Sequence, residues 1–156
     1  MEGQRVRRSL GVIGGGECDA ETYEIARTVG AAIAARGFLL VCGGLAGVME
    51  AACRGAQEAG GVTLGILPGT EKGDANPFVD IAVPTGLGHA RNVLVVNSSD
   101  ALIAIGGGAG TLSEIALGLK TGKPVVGIRT WPLPGNVVPM EEGEAAVAWV
   151  VGQIGR

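Results

Sequence analysis

Ala101-Leu102-Ile103-Ala104-Ile105-Gly106-Gly107-Gly108-Ala109-Gly110-Thr111, with Glu114 three residues further on, is the stretch whose reading decides the fold. Five apolar residues end in a glycine turn, and the residues after the turn have the character of a helix. A strand that passes through such a turn leaves the first N–H groups of the helix without backbone partners, pointing at whatever occupies the turn. That arrangement holds anions, most often a phosphate.

The same strand, glycine turn and helix pattern recurs on either side. Ser9 to Ile13 predicts a first strand ended by Gly14-Gly15-Gly16, and Asp19 is placed to cap a helix in which Ala26, Val29 and Ile33 share a face before Gly37 stops it. Phe38 to Cys42 predicts a second strand, followed by a helix from about Gly47 to Ala59 that ends at Gly60-Gly61. Thr63 to Leu67 is a third strand, and Pro68-Gly69 opens a polar loop that runs to Pro77. A short fourth strand, Ile81 to Val83, and a helix over Val93 to Asn97 lead into the strand quoted above. Pro124 to Ile128 is a sixth strand, and an irregular Trp131-Pro132-Leu133-Pro134-Gly135 crossing leads to a last helix over Glu142 to Gln153.

Strands alternating with helices predict one α/β domain over residues 1–156, a doubly wound parallel sheet of about six strands with helices on both faces, ordered 3-2-1-4-5-6. Ligands bind such sheets where the strand order reverses. In that order three turns converge on one crevice: Gly14 to Gly16, Thr85 to Arg91, and Gly106 to Thr111.

Composition agrees with a buried parallel sheet. The 156 residues are 47% apolar but only 3% aromatic, so the core must be built from Val, Ile, Leu and Ala. No uncharged stretch approaches the roughly 18 residues of a membrane span. Arg5, Arg7 and Arg8 precede an apolar patch too short for a signal peptide. The expectation is a cytoplasmic protein without membrane contact. Cys18, Cys42 and Cys53 show neither disulfide nor zinc spacing, so no metal and no cysteine framework is expected. A net charge of −3 with scattered basic residues gives no nucleic-acid footprint.

Charge chooses between the two glycine turns that open helices. The first carries Glu17, Asp19 and Glu21 in its loop and opening turn, whereas the second has no acid before Glu114. Like charges at close range repel, so a phosphate belongs at Gly107, Gly108, Ala109, Gly110 and Thr111, with the Thr111 hydroxyl as a further donor. Two nucleotide motifs are absent. Gly14-x-Gly16 is followed at its third position by Asp19, not the glycine of a dinucleotide fingerprint, and Gly110 is followed by Thr111 rather than a P-loop lysine. Arg91 opens a helix, where the helix dipole disfavours a cation, and a ligand carboxylate or phosphate is a reason to place it there. An acid in the first turn of a helix suits the dipole anyway, so Glu114 alone proves nothing. His89, the only histidine, lies at the same mouth and has no partners for a metal site or a catalytic triad.

The run from Gly106 to Glu114 resembles the PGGxGTxxE signature of the Lonely Guy family, whose members are often labelled lysine decarboxylases. Gly88-His89-Ala90-Arg91-Asn92 resembles its second signature, with the arginine 23 residues before the glutamate. Gly11 to Gly16, Gly47 to Ala52, Gly60-Gly61 and Leu67-Pro68-Gly69 are similar in particular to the small bacterial branch that includes molybdenum cofactor carrier proteins. Gly106 stands where the signature has proline, and Asn92 where the hydrolase branch usually has lysine.

The resemblance implies a Rossmann-like fold, a homodimer or homotetramer, and a small phosphorylated nucleotide-like ligand at the glycine turn, with Gly14 and Gly15 beside it. Some members hydrolyse the N-glycosidic bond of nucleoside 5′-monophosphates, and there the residues matching Arg91 and Glu114 are catalytic. The expected function is therefore phosphate and nucleotide binding, either with phosphoribohydrolase activity or as a non-catalytic carrier of a phosphorylated cofactor such as molybdenum cofactor. No resident cofactor is expected. Lysine decarboxylation fails on chemistry, since pyridoxal phosphate needs a pocket lysine, Lys120 and Lys123 flank a helix end and a strand start away from the crevice, and Lys72 lies in the polar loop.

Overall fold

The computed structural model describes residues 6–155, so Arg5 lies outside the described residues. Its centre is the pair of strands that the sequence marks as most apolar. β1 (Ser9–Gly14) and β5 (Ala101–Ile105) run parallel, with Ile13 opposite Ala104 and Gly14 opposite Ile105. This register sets the two glycine turns side by side at the carboxyl ends of the strands.

Outward from β1 lie β2 (Leu39–Cys42), β3 (Thr63–Leu67) and β4 (Ile81–Pro84); outward from β5 lie β6 (Val125–Ile128) and β7 (Val138–Pro139). All pairings are parallel, in the order β4-β3-β2-β1-β5-β6-β7. Two expectations are corrected. The sheet has seven strands rather than about six, because Val138–Pro139 adds a two-residue strand. The Ile81 strand pairs with β3 at the edge instead of lying between β1 and β5, which suits its chemistry: Ile81 and Val83 are half exposed, whereas every β5 side chain is buried.

Among the described residues five α-helices cover the sheet: α1 (Ala20–Ala35), α2 (Val48–Glu58), α3 (Arg91–Asn97), α4 (Ala109–Lys120) and α5 (Gly143–Ile154). Alternate strand residues face opposite ways. Leu10, Val12, Ile103 and Ile105 pack with residues of α1, α2 and α5, and Ile13, Leu102 and Ala104 pack with residues of α3 and α4. The α1 and α2 helices touch backbone to backbone through Gly30 and Gly55, where an added Cβ would meet Ala52 O and Arg27 O at 1.8 and 1.9 Å. Larger residues would force these helices apart.

The reversal of strand order falls between β1 and β5, where an open α/β sheet places its ligand. From edge strand β4 the chain returns across the sheet through α3, and that helix brings its first residue, Arg91, back to the reversal point.

Candidate functional site

A crevice of about 250 Å³ opens at the reversal point, lined by Gly14, Gly15, Gly16, Gly43, Met49, His89, Arg91, Asn92, Gly108, Gly110, Thr111 and Glu114. The three turns expected to converge do so, although β4 does not sit beside β1. A fourth turn, Gly43 after β2, also contributes. Its signal was in the sequence: a glycine pair ending the strand next to β1 must open at the same edge of the sheet.

The two helices that start here are built differently. At α1 the Asp19 side chain accepts the Thr22 N–H at 2.7 Å, so the protein fills its own anion position, and hydrogen bonding from Thr22, its side chain first and its backbone N–H second, holds the Asp19 carboxyl below its ordinary pKa. At α4 the cap is Gly108, with no capping side chain. The turn before it uses backbone that only glycine adopts easily, with φ of +56° at Gly106 and +95° at Gly107. An added Cβ at Gly107 would lie 2.1 Å from Thr111 Oγ1. Gly107 and Ala109 do not line the crevice; Gly107 shapes the turn and Ala109 begins the helix.

The departure at Gly106 from the signature proline has a physical consequence. Proline fixes φ near −65° and has no N–H. Here φ is positive and the Gly106 N–H donates to Ile128 O at 2.9 Å, extending the junction between β5 and β6 into the turn.

Arg91 is nine-tenths buried and anchored at its base. Its Nε donates to Ile66 O at 2.9 Å, its Nη1 donates to Asn92 Oδ1, and a Cβ added at Gly43 would lie 2.6 Å from its Nη2. Gly43 is thus a space-maker for the guanidinium. Asn92, the second departure, continues the chain of contacts: its Nδ2 donates to Ser113 Oγ, which donates to Gly110 O in the first turn of α4. Asn92 therefore ties Arg91 to the helix that would hold the anion.

Glu114, also on α4, is 7% exposed, and burial pushes its carboxyl up to about pKa 7, with the Arg91 charge only partly opposing. No ion pair joins the two among the described residues. A buried acid that exchanges its proton near neutrality can give or take a proton at the crevice. His89 lies exposed at the rim. The lysines stay away, Lys123 donating to Val96 O and Ser99 O, so no lysine lines the crevice among the described residues. Those residues also hold no cluster of His, Cys, Asp and Glu suited to a metal, and no helix is long and apolar enough to cross a membrane.

An uncharacterized protein of Archaeoglobus fulgidus is 50% identical over 91% of this chain and 93% of its own length. A cytokinin riboside 5′-monophosphate phosphoribohydrolase of Mycobacterium tuberculosis is 36% identical over 72% of this chain, which spans 65% of that enzyme. Among solved structures, the molybdenum cofactor binding protein of the phototrophic bacterium Rippkaea orientalis superposes with a TM-score of 0.91 at 38% identity, covering 97% of this chain and 100% of the other. The family match runs over residues 7–150, nearly the whole chain, and the expected likeness holds: the protein belongs to the SLOG cluster4 family, a Lonely Guy-like group.

Proposed function

We propose that this protein binds the phosphate of a small nucleotide-like ligand in the crevice between β1 and β5. The observation that carries the reading is the contrast at the helix starts: α4 presents an uncapped N-terminus to a crevice that also holds the Arg91 side chain. The Gly108 to Thr111 amides and the Thr111 hydroxyl surround the phosphate, Arg91 supplies the countercharge, and Gly14 and Gly15 form the opposite wall. Titration with ribose 5-phosphate tests this, and an affinity unaffected by Arg91→Ala would contradict it.

What happens to the ligand has two readings, each with its own support. Glu114, buried and titrating near neutrality beside Arg91, favours hydrolysis of a nucleoside 5′-monophosphate: the carboxylate stabilises the oxocarbenium-like transition state or orients water. The likeness to the Rippkaea orientalis protein over its full length, with Gly106 and Asn92 at the two departures, favours a carrier that holds a phosphorylated cofactor uncut. Free adenine released from AMP by the protein, and lost in Glu114→Gln, supports hydrolysis; binding without release supports the carrier.

The protein acts as a single cytoplasmic domain in a homodimer or homotetramer. Ile81 and Val83 on β4, with Val93 and Leu94 on α3, offer exposed apolar surface for a second copy. A monomeric mass by sedimentation would contradict the assembly.

A further inference from the structure

Cys42 and Cys53 are fully buried free thiols that the phosphate reading leaves unused. Their spacing in the sequence suggests no pairing, yet the fold sets Cys42, the last residue of β2, against Cys53 on α2, with the two sulfurs 3.4 Å apart. The pair sits behind the wall of the crevice. Gly43, which follows Cys42, and Met49, one turn before Cys53 on the same face of α2, both line that crevice.

The two thiols are not equivalent. Cys42 Sγ accepts the Gly44 N–H at 3.3 Å and faces the Cys53 thiol. The hydrogen bond from Cys53 holds the Cys42 thiol below its ordinary pKa, burial opposes it, and the Gly44 N–H adds to it; the charges of Glu114 and Arg91 reach Cys42 with opposite effects. The same bond, with burial, pushes Cys53 up. Cys42 is therefore the sulfur that gives up its proton and attacks, and Cys53 is the one that keeps its proton and resolves.

Closing the pair has a mechanical consequence. A disulfide needs its sulfurs at about 2.05 Å, so the two must approach by roughly 1.3 Å. The α2 helix has little room to give, because Ala52 and Gly55, on either side of Cys53, pack backbone to backbone on α1. The movement falls on the Cys42 side, at the Gly43-Gly44 turn. No slack exists there: a Cβ added at Gly43 would lie 2.6 Å from Arg91 Nη2 and 2.9 Å from Met49 Sδ, so a shift of this backbone re-seats the guanidinium.

We propose that Cys42 and Cys53 form a reversible disulfide when hydrogen peroxide enters the crevice, and that closing it weakens the hold of Arg91 on the anion. The effect on the anion rests on the phosphate reading above; the disulfide does not. Size selects the oxidant, since hydrogen peroxide is little larger than water, whereas glutathione disulfide, a pair of tripeptides, has no route to two fully buried sulfurs. The Cys42 thiolate attacks one peroxide oxygen, the O–O bond breaks, and the leaving hydroxide takes up the proton that Cys42 released. The Cys53 sulfur then attacks the sulfenic sulfur of Cys42: the S–S bond forms, the S–O bond breaks, and the leaving hydroxide takes the Cys53 proton. Two thiols and one hydrogen peroxide give one disulfide and two waters.

The test uses the full chain with Cys18→Ser, which removes the half-buried third cysteine. Cys42, Cys53 and Met49 all lie in the single tryptic peptide from Gly37 to Arg54. After brief exposure to hydrogen peroxide that peptide is expected to be lighter by two hydrogens, and after dithiothreitol to return to its reduced mass; glutathione disulfide should leave it unchanged. Ribose 5-phosphate affinity should fall about tenfold on oxidation and recover on reduction. In a double variant, Cys42→Ala with Cys53→Ala, peroxide should not change the affinity. A peptide that keeps both thiols, or gains only oxygen at Met49, would overturn the disulfide, and a disulfide that leaves the affinity unchanged would overturn its link to the anion. A reduced protein that binds neither ribose 5-phosphate nor inorganic phosphate would overturn the phosphate reading instead, with the peptide mass still deciding the pair.

Discussion

The two strand, glycine turn and helix units at the centre of the sheet share a register and a local pattern, yet they end in opposite states. After β1 the helix is closed by its own Asp19, and Glu21 reaches across to Arg129. After β5 the helix is left open, with glycine at its cap and acid withheld until the buried Glu114. On the proposed reading, a glycine turn becomes an anion site only when the protein declines to cap it. In this chain the side chains near each turn, Asp19 and Glu21 at the first and Thr111 and Glu114 at the second, decide that outcome more than the glycines do.

The largest effect should come from forcing the open turn shut. Gly107→Ala places a Cβ against Thr111 at a strongly positive φ, and the cost is expected to be about 3 kcal/mol of stability with ribose 5-phosphate affinity lost beyond measurement. The matched change in the first turn, Gly16→Ala, meets nothing within 4 Å and should leave both nearly unchanged. Chemical denaturation and calorimetric titration of the two variants check the pair.

Next in size is the pH response, where the acids of the two units titrate in opposite senses. Glu114 ionises at about 7 in the fold and at about 4.5 in the unfolded chain, so the folded state holds the extra proton between those values. Stability is therefore greatest below that window and falls as pH rises through it, by on the order of 3 kcal/mol at most. The wild-type difference between about pH 5 and about pH 8 should shrink in Glu114→Gln. Asp19, with its lowered pKa, contributes stability that is present above its unfolded pKa and lost as pH falls through its folded one.

Arg91→Ala should weaken ribose 5-phosphate binding by roughly 10- to 100-fold and destabilise the fold by about 1–3 kcal/mol, because Ile66 O loses its donor. Asn92→Ala keeps the charge but releases it from Ser113, and a smaller loss of affinity, about threefold to tenfold, is expected in the same titration. The smallest effect belongs to the closed unit. Asp19→Ala should lower the thermal midpoint by roughly a few degrees and leave ribose 5-phosphate affinity alone, since the proposed phosphate site lies at the start of α4.

Much of this arrangement was legible in the residues. β3 and β5 appear over the predicted residues, and the charge contrast between the turns corresponds to a capped and an uncapped helix. The strand order was not legible. Ile81-Ala82-Val83 is as apolar as a central strand, and its place at the edge is decided by pairing with β3, which local pattern does not encode. Arg91 reaches the crevice all the same, because α3 crosses the sheet whichever strand precedes it. Val138–Pro139 was invisible because two residues carry no periodicity. Asn92 could be seen only as a departure from a signature; its bridge from Arg91 to Ser113 needs the packing of α3 on α4. In the sequence Trp131 belongs to an irregular crossing, and nothing in its neighbours indicates that its indole would hold Gly108 O.

The most direct measurement is an amide-resolved NMR titration of the whole protein with inorganic phosphate. Saturable shifts centred on the Gly108, Ala109, Gly110 and Thr111 amides, with the Ala20 to Thr22 amides of α1 unmoved, are expected if the open turn is the anion site. Shifts centred instead on the start of α1, or no saturable shift at either turn, would contradict it.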